Sequence, residues 1–272
     1  MIIDGKAIAE RVKSVVAREI TRTGARYSLA VFVLTDDFAT RKFISIKKKV
    51  AENIGVTIVL YDLKKDTRTE ELVQKIKEAV HNHNGIVVQF PLPSHINSDT
   101  IRNAIPASHD VDVISDEALQ KVKKGSNVLP PVVGAIDEIL KEQAVTLKGK
   151  KVVVVGEGNL VGKPSAIFAE HGGANVTVVN EDTKDISKET KDADIIILGA
   201  GVPGLLMPTM VKDGVVILDA GTSEAKGELR GDADPSCALK SALFTPVPGG
   251  VGPITVAMIF KNLLVLASRQ RD

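Results

Sequence analysis

The chain has 272 residues and a single cysteine, Cys237. One thiol cannot close an intrachain disulfide, which suits a reducing compartment. Neither sign of charge predominates: 35 lysines and arginines stand against 34 aspartates and glutamates, a net charge of +1. The basic excess that a nucleic-acid binder uses to engage phosphates is therefore missing. The N-terminus, "MIIDGKAIAERVK", places charges within its first six residues and has no apolar core of the signal-peptide kind. The uncharged run from Ile195 to Val211 is broken by Gly199, Gly201, Gly204, Pro203 and Pro208, so it reads as strand plus loop, not a membrane span. What remains is 44% apolar and 25% charged, an ordinary soluble globular composition. The expectation is a soluble cytoplasmic protein with no nucleic-acid or membrane partner.

Apolar periodicity supplies the architecture. "AIAERVKSVVAREI" sets Ile8, Val12, Val15, Val16 and Ile20 on one helical stripe, with Gly24 just beyond. "SLAVFVL" reads as a strand, "RKFISIKKKVAENI" as a helix stopped by Gly55, "VTIVLY" as a strand, "TEELVQKIKEAV" as a helix and "GIVVQ" as a third strand. Strands separated by helices of this length indicate βαβ units with a parallel sheet. The pattern loosens from Pro91 to Gly149, where one helix, "VVGAIDEILKEQ", is expected to bridge two domains. The alternation then resumes with "KVVVVG", "GKPSAIFAEHG", "NVTVVN", "ADIIILGA" and "GVVILDAG", and ends on the apolar helix "ITVAMIFKNLLVLAS". The fold class is α/β in two lobes.

In the second lobe Gly156, Gly158 and Gly162 form G-x-G-x-x-x-G between strand and helix. Backbone amides at such a helix start, with the helix dipole behind them, favour a dinucleotide pyrophosphate. The spacing exceeds the commonest fingerprint by one residue, and a plain strand-to-helix turn is the competing reading. The next strand ends in "VVNEDT", which puts Glu181 and Asp182 where an acidic side chain meets ribose hydroxyls. Together with Glu157 they would repel a 2′-phosphate, and the nearest cations are Lys163 and Lys184. The expected cofactor is NAD or NADP, with NAD favoured.

"TPVPGGVGPITVAM" (Thr245 to Met258), "VGKP" after the glycine loop, "VQFPLP" (Val88 to Pro93), "DVD" (Asp110 to Asp112) and "DAGT" at Asp219 occur in a distinctive order and spacing. The chain resembles, over nearly its whole length, the bifunctional methylenetetrahydrofolate dehydrogenase/methenyltetrahydrofolate cyclohydrolase family of one-carbon metabolism. The resemblance implies an N-terminal α/β folate-catalytic domain (1–126 plus 255–272), a Rossmann-type NAD(P)-binding domain (127–254) and a cleft between them. It also implies a homodimer. The implied reaction oxidises 5,10-methylenetetrahydrofolate to the methenyl cation and hydrolyses that cation to 10-formyltetrahydrofolate.

The resemblance places the catalytic lysine at Lys47, although "KKK" on its own reads as a solvated face. It makes Gln89 the partner of that amine and Asp112 the pterin-binding carboxylate. Phe43 takes the place of the family's tyrosine one turn before Lys47 and can still stack on a flat ring, while Pro248, Gly249 and Gly250 shape the substrate wall. Cofactor contacts are expected from Gly156, Glu157, Gly158, Val161, Gly162, Lys163, Glu181, Gly221 and Thr222. The family's "KDVDG" reads "HDVDV" here, with His109 and Val113 substituted, and a proline–cysteine–threonine–proline block reads "NVLPPVVG".

Other readings of the same residues are poorer. Ser45 to Lys48 fits S-x-x-K, but no S-D-N or K-T-G accompanies it. "HNH" at 81 to 83 reads as a solvated helix end, and no metal is expected. The alternative in a different class is a folate- or dinucleotide-binding protein that keeps the fold and has weak or lost cyclohydrolase activity. Lys47, Gln89 and Asp112, present together, argue against it.

Overall fold

The computed structural model describes residues 1–35, 38–225 and 228–270. They divide into two compact units, one formed by Glu10–Pro131 with Val256–Asp272, the other by Met1–Ala9 with Val132–Thr255.

Helix α1 (Gly5–Thr23) opens the chain, and Ile8, Val12, Val16 and Ile20 form its buried stripe. Val15, expected on that stripe, is 48% exposed; at 100° per residue it falls at the margin of the stripe, beyond Ile8 and away from Val12, Val16 and Ile20. The first unit then alternates β1 (Tyr27–Val33), α2 (Phe38–Ile54), β2 (Val56–Asp62), α3 (Thr69–Val80) and β3 (Gly85–Val88). The strands are parallel in the order β2-β1-β3, with Val31 opposite both Leu60 and Val87. β1 is thus the point where the crossovers change direction, and ligands of open α/β sheets gather at the carboxyl ends of strands there. Phe32, Leu34, Leu72, Ile76 and Ile101 fill the core beneath.

Two short helices lie where the sequence pattern loosens. Helix α4 (Ser98–Ala104) is capped by Asn97, whose side chain accepts from the Thr100 amide at 2.8 Å. Helix α5 (Asp116–Lys123) is capped by Ser115, which accepts from the Ala118 amide at 3.2 Å. Each is about two turns long, too short for apolar periodicity to announce it, so the caps are the sequence signal.

The second unit runs α6 (Pro131–Glu142), β4 (Lys151–Val155), α7 (Gly162–His171), β5 (Asn175–Val179), α8 (Ile186–Thr190), β6 (Ile195–Leu198) and β7 (Val215–Asp219). A small antiparallel pair, β8 (Ser223–Ala225) and β9 (Glu228–Arg230), follows, then β10 (Ser241–Phe244); α9 (Val251–Arg269) comes last and from Val256 onward belongs to the first unit. Its parallel sheet has the order β10-β7-β6-β4-β5. β6, and β4 after its exposed first residue Lys151, are apolar runs of the kind found in strands covered on both faces. The open edge is β5, where Val178 is 42% exposed.

The chain's start belongs to this second unit, whereas the sequence placed it with the first. The Ile3 amide donates to the Phe244 carbonyl at 2.9 Å and the Phe244 amide to the Met1 carbonyl at 2.8 Å, so residues 1–3 extend the edge at β10. α9 is long and apolar enough to cross a membrane, but more than half of its apolar window is buried, with Ile254, Phe260, Leu263 and Ala267 inaccessible. That burial is the signature of a core helix.

Helix α6 ends in a Schellman motif: the Val145 amide donates to the Leu140 carbonyl at 2.9 Å and the Ala144 amide to the Lys141 carbonyl at 3.2 Å. Ala144 therefore sits in the left-handed region at φ 52° and is exposed. Ala144→Gly should raise unfolding stability by about 1 kcal/mol, read from urea unfolding. An unchanged or lower stability would contradict this reading of the cap.

Candidate functional site

In the first unit, Ile44, Lys47, Val50, Ala51 and Ile54 are the buried face of α2, while Lys48 and Lys49 are exposed. The lysine run is therefore not one solvated face, because Lys47 occupies an apolar-stripe position. Its side chain is 8% exposed, and its Nζ donates to Gln89 Oε1 at 2.9 Å. Gln89 is fixed at the end of β3 from both sides: its amide donates to the Phe32 carbonyl at 2.9 Å and its Nε2 to the Phe90 carbonyl at 3.0 Å. With the amide nitrogen engaged, the carbonyl oxygen is left to accept from the amine. Burial pulls the Lys47 amine below the usual lysine range, and the Asp112 charge partly opposes that shift. Burial likewise pushes the Asp112 carboxyl up, with Lys47 opposing. Lys47, Gln89 and Asp112 thus form one electrostatic group. Phe43 lies one turn earlier on α2 and is 44% exposed.

The loop carrying Asp112 is tied on both sides. Asp110 Oδ2 accepts from the Ile114 and Ser115 amides at 3.0 and 2.8 Å. Desolvation nonetheless pushes the buried Asp110 carboxyl up to about 6. From α9, buried Asn262 donates through Nδ2 to the Val111 carbonyl at 2.9 Å and the Leu129 carbonyl at 2.8 Å. Asn262 escaped the sequence reading; a lone amide inside the apolar "IFKNLLVL" was its signal. Between these ties Val113 is buried at φ 55°. A β-branched residue is strained there. This backbone angle is what a glycine at that position would relieve.

In the second unit, the loop after β4 is built on close approach. Gly156 has φ 101°, and a Cβ on Gly162 would stand 2.1 Å from the Gly156 carbonyl oxygen. A side chain on Gly162 would push α7 off the strand, and a Cβ on Gly156 would stand 2.6 Å from the Gly199 carbonyl oxygen after β6. A Cβ on Gly158 would meet open space. Beside the loop lies a cleft of about 690 Å³ lined by Gly156, Glu157, Gly158, Glu181, Asp182 and the loop after β6. Glu157 Oε2 accepts from Asn180 Nδ2 at 3.0 Å, which holds that carboxylate against the end of β5. The cleft's size, the glycine cradle and the start of α7 fit a dinucleotide.

The remaining candidates lie apart from that cleft's lining. Val161 precedes α7 and would meet any Cβ placed on Gly199, Gly162 is buried against the loop, and Lys163 and Lys184 are exposed. Gly221 is buried in the turn after β7, and Thr222 is exposed beside it. Pro248, Gly249 and Gly250 form the turn before α9, where the Gly249 carbonyl accepts from the Gly5 amide at 3.0 Å. His83 is not a solvated helix-end residue: its Nε2 pairs with the Tyr61 hydroxyl at 2.9 Å and its Nδ1 with Ser28 Oγ at 3.2 Å.

Comparison with known proteins gives a consistent result. Residues 3–112 match the model of the tetrahydrofolate dehydrogenase/cyclohydrolase catalytic domain, and residues 130–271 match its NAD(P)-binding domain. The chain is 36% identical to the bifunctional protein FolD of Nautilia profundicola, over 98% of this chain and 96% of that one. It is 38% identical to FolD of Caldanaerobacter subterraneus subsp. tengcongensis, over 97% and 95%. Among solved structures, the bifunctional FolD methylenetetrahydrofolate dehydrogenase/cyclohydrolase of Campylobacter jejuni superposes with a TM-score of 0.95 at 34% identity, covering 99% of both chains. The Trypanosoma brucei FolD, complexed with NADP and an inhibitor, gives 0.94 at 30% identity, covering 100% of this chain and 98% of that one.

Left-handed Val113 yields a comparison that separates strain from lost packing. Val113→Gly and Val113→Ala both remove the buried isopropyl group, but only glycine removes the backbone strain. The glycine variant should be about 1 kcal/mol more stable than the alanine variant by urea unfolding, the reverse of the usual order. A more stable alanine variant would show that the backbone at 113 is unstrained.

Proposed function

This chain belongs to the tetrahydrofolate dehydrogenase/cyclohydrolase family, and on that premise we propose that it oxidises 5,10-methylenetetrahydrofolate with NAD(P) and hydrolyses the product to 10-formyltetrahydrofolate. The observation that carries the reading is the buried Lys47 amine held 2.9 Å from the Gln89 carboxamide oxygen. When bound, the nicotinamide supplies the acceptor for a hydride leaving the one-carbon bridge. Loss of that hydride leaves a methenyl cation, and water adds to its carbon.

Addition of water releases a proton, and opening of the ring returns one to the pterin nitrogen that leaves. A lysine whose amine is depressed by burial can hold the first and deliver the second, because its neutral form is accessible nearer to working pH. Gln89 accepts from that amine and fixes its direction. Asp112, an acceptor when ionised, fits the adjacent N–H donors of a pterin edge. Phe43 offers a partly exposed ring for stacking but no hydroxyl. Pro248, Gly249 and Gly250 are assigned to the substrate wall. A domain division at 126/127 and 254/255 remains the functional assignment, with folate chemistry in the first part and the dinucleotide in the second.

Within NAD(P) use, we assign a preference for NAD. Glu157, Glu181 and Asp182 line one cleft, and a 2′-phosphate there would add further negative charge at short range. Gly156, Gly158, Val161, Gly162, Lys163, Gly221 and Thr222 complete the assigned cofactor region. A homodimer is supported by the open edge at β5, since an unpaired apolar edge strand is a template for association. A reducing, cytoplasmic location suits the buried free thiol of Cys237.

The test is to mix purified protein with methylenetetrahydrofolate and either dinucleotide and to follow methenyl absorbance. Product should form, with a lower KM for NAD than for NADP. Its decay should slow at least about 100-fold in Lys47→Met, the contribution expected of a positioned acid–base group. Phe43→Tyr should accelerate the decay. Oxidation with neither dinucleotide would refute the activity, and unslowed decay in Lys47→Met would refute the role of the amine.

A further inference from the structure

Asp232 is completely buried, and its carboxylate is spent on three successive backbone amides of one loop. Oδ2 accepts from Ala200 at 2.7 Å and from Gly201 at 3.0 Å, while Oδ1 accepts from Val202 at 2.8 Å. That loop leaves the carboxyl end of β6, beside β4, and Ala200 and Val202 line the cleft assigned to the dinucleotide. The same carboxylate sets the turn after β7, since a Cβ on Gly221 would stand 2.1 Å from Asp232 Cγ. The arrangement is reciprocal: Asp219 accepts from the Gly221 amide at 3.0 Å and the Ala233 amide at 2.8 Å, and a Cβ on Gly231 would stand 2.2 Å from Asp219 Oδ2. Ser223 holds the loop from the other side, its Oγ donating to the Gly201 carbonyl at 2.6 Å.

A fully buried carboxylate is a demanding way to shape a loop. Removal from water pushes the Asp232 carboxyl up, and the three amide bonds oppose the shift. A neutral amide could not replace it, having only one acceptor atom for three donors. Two acceptor oxygens are what three amides pointing to one spot require.

We infer that Asp232 is a positioning residue for the dinucleotide, holding Ala200, Gly201 and Val202 as one wall of the cofactor cleft without touching the ligand. This inference rests on the assignment of that cleft to NAD(P). Asp232→Asn leaves at least one amide unpaired and lets the wall move. It should raise the dinucleotide KM about tenfold, the consequence of one or two lost hydrogen bonds, with kcat at saturating dinucleotide and the folate KM each within about twofold of wild type. Ser223→Ala, a partly exposed substitution, frees the same loop and should raise the dinucleotide KM about threefold, as loss of a single hydrogen bond does. If Asp232→Asn does not fold, Ser223→Ala decides the matter. An unchanged dinucleotide KM in the folded variants, or equal losses of kcat and folate KM, overturns the inference. A wild-type protein that binds no dinucleotide by calorimetry overturns the cleft assignment itself, and the inference falls with it.

Discussion

The interaction on which the chemistry depends is the hydrogen bond from a buried lysine to a glutamine side chain. A lysine on the apolar stripe of a helix is unfavourable unless its amine finds an acceptor or gives up its charge. Here both solutions are partly in place. Gln89 offers an oxygen whose direction is fixed by the hydrogen bond its own Nε2 donates to the Phe90 carbonyl, and burial shifts the amine toward its neutral form. An amine in that condition can exchange protons, whereas a solvated lysine would stay charged. The nearby Asp112 carboxylate limits the shift, so the amine is tuned between two environments.

A second constraint recurs in both units: buried aspartates organise loops by accepting backbone amides. Asp110 gathers two amides ahead of α5, Asp219 gathers two around the turn after β7, and Asp232 gathers three after β6. Each loop leaves or borders the end of a strand, where open α/β sheets form their sites. Desolvation raises these carboxyls, Asp219 to about 7 with Asp232 contributing, and the backbone hydrogen bonds oppose the shift. Opposite Asp219 and Asp232, at Gly231 and Gly221, glycine is required because the carboxylates occupy the space a Cβ would fill.

Much of this was legible in the sequence. The strands and long helices followed from apolar periodicity, and α3 (Thr69–Val80) coincides with the segment read from its pattern. The glycine loop announced the close packing of Gly156 and Gly162. Lys47 was less legible from its neighbours, since three lysines in a row suggest solvent; only its spacing from Ile44, Ala51 and Ile54 betrays burial. Helices α4 and α5 were missed because they are too short to show a period. Strand β10 was missed because its four residues carry no alternation that the surrounding turns do not blur. Asp232 and Asn262 acquire their roles only when the chain folds back, for their partners lie far away in sequence and are backbone atoms that no side-chain pattern reveals.

The central claim is the depressed basicity of one amine, and it can be measured without substrate. Isotope-edited NMR of the lysine amines, titrated with pH and assigned by Lys47→Met, reads that group directly. The account predicts that Lys47 deprotonates clearly below the ordinary lysine value, and lower still in Asp112→Asn, which removes the opposing charge. A Lys47 amine that titrates at the ordinary value, or that is unmoved by Asp112→Asn, would contradict it.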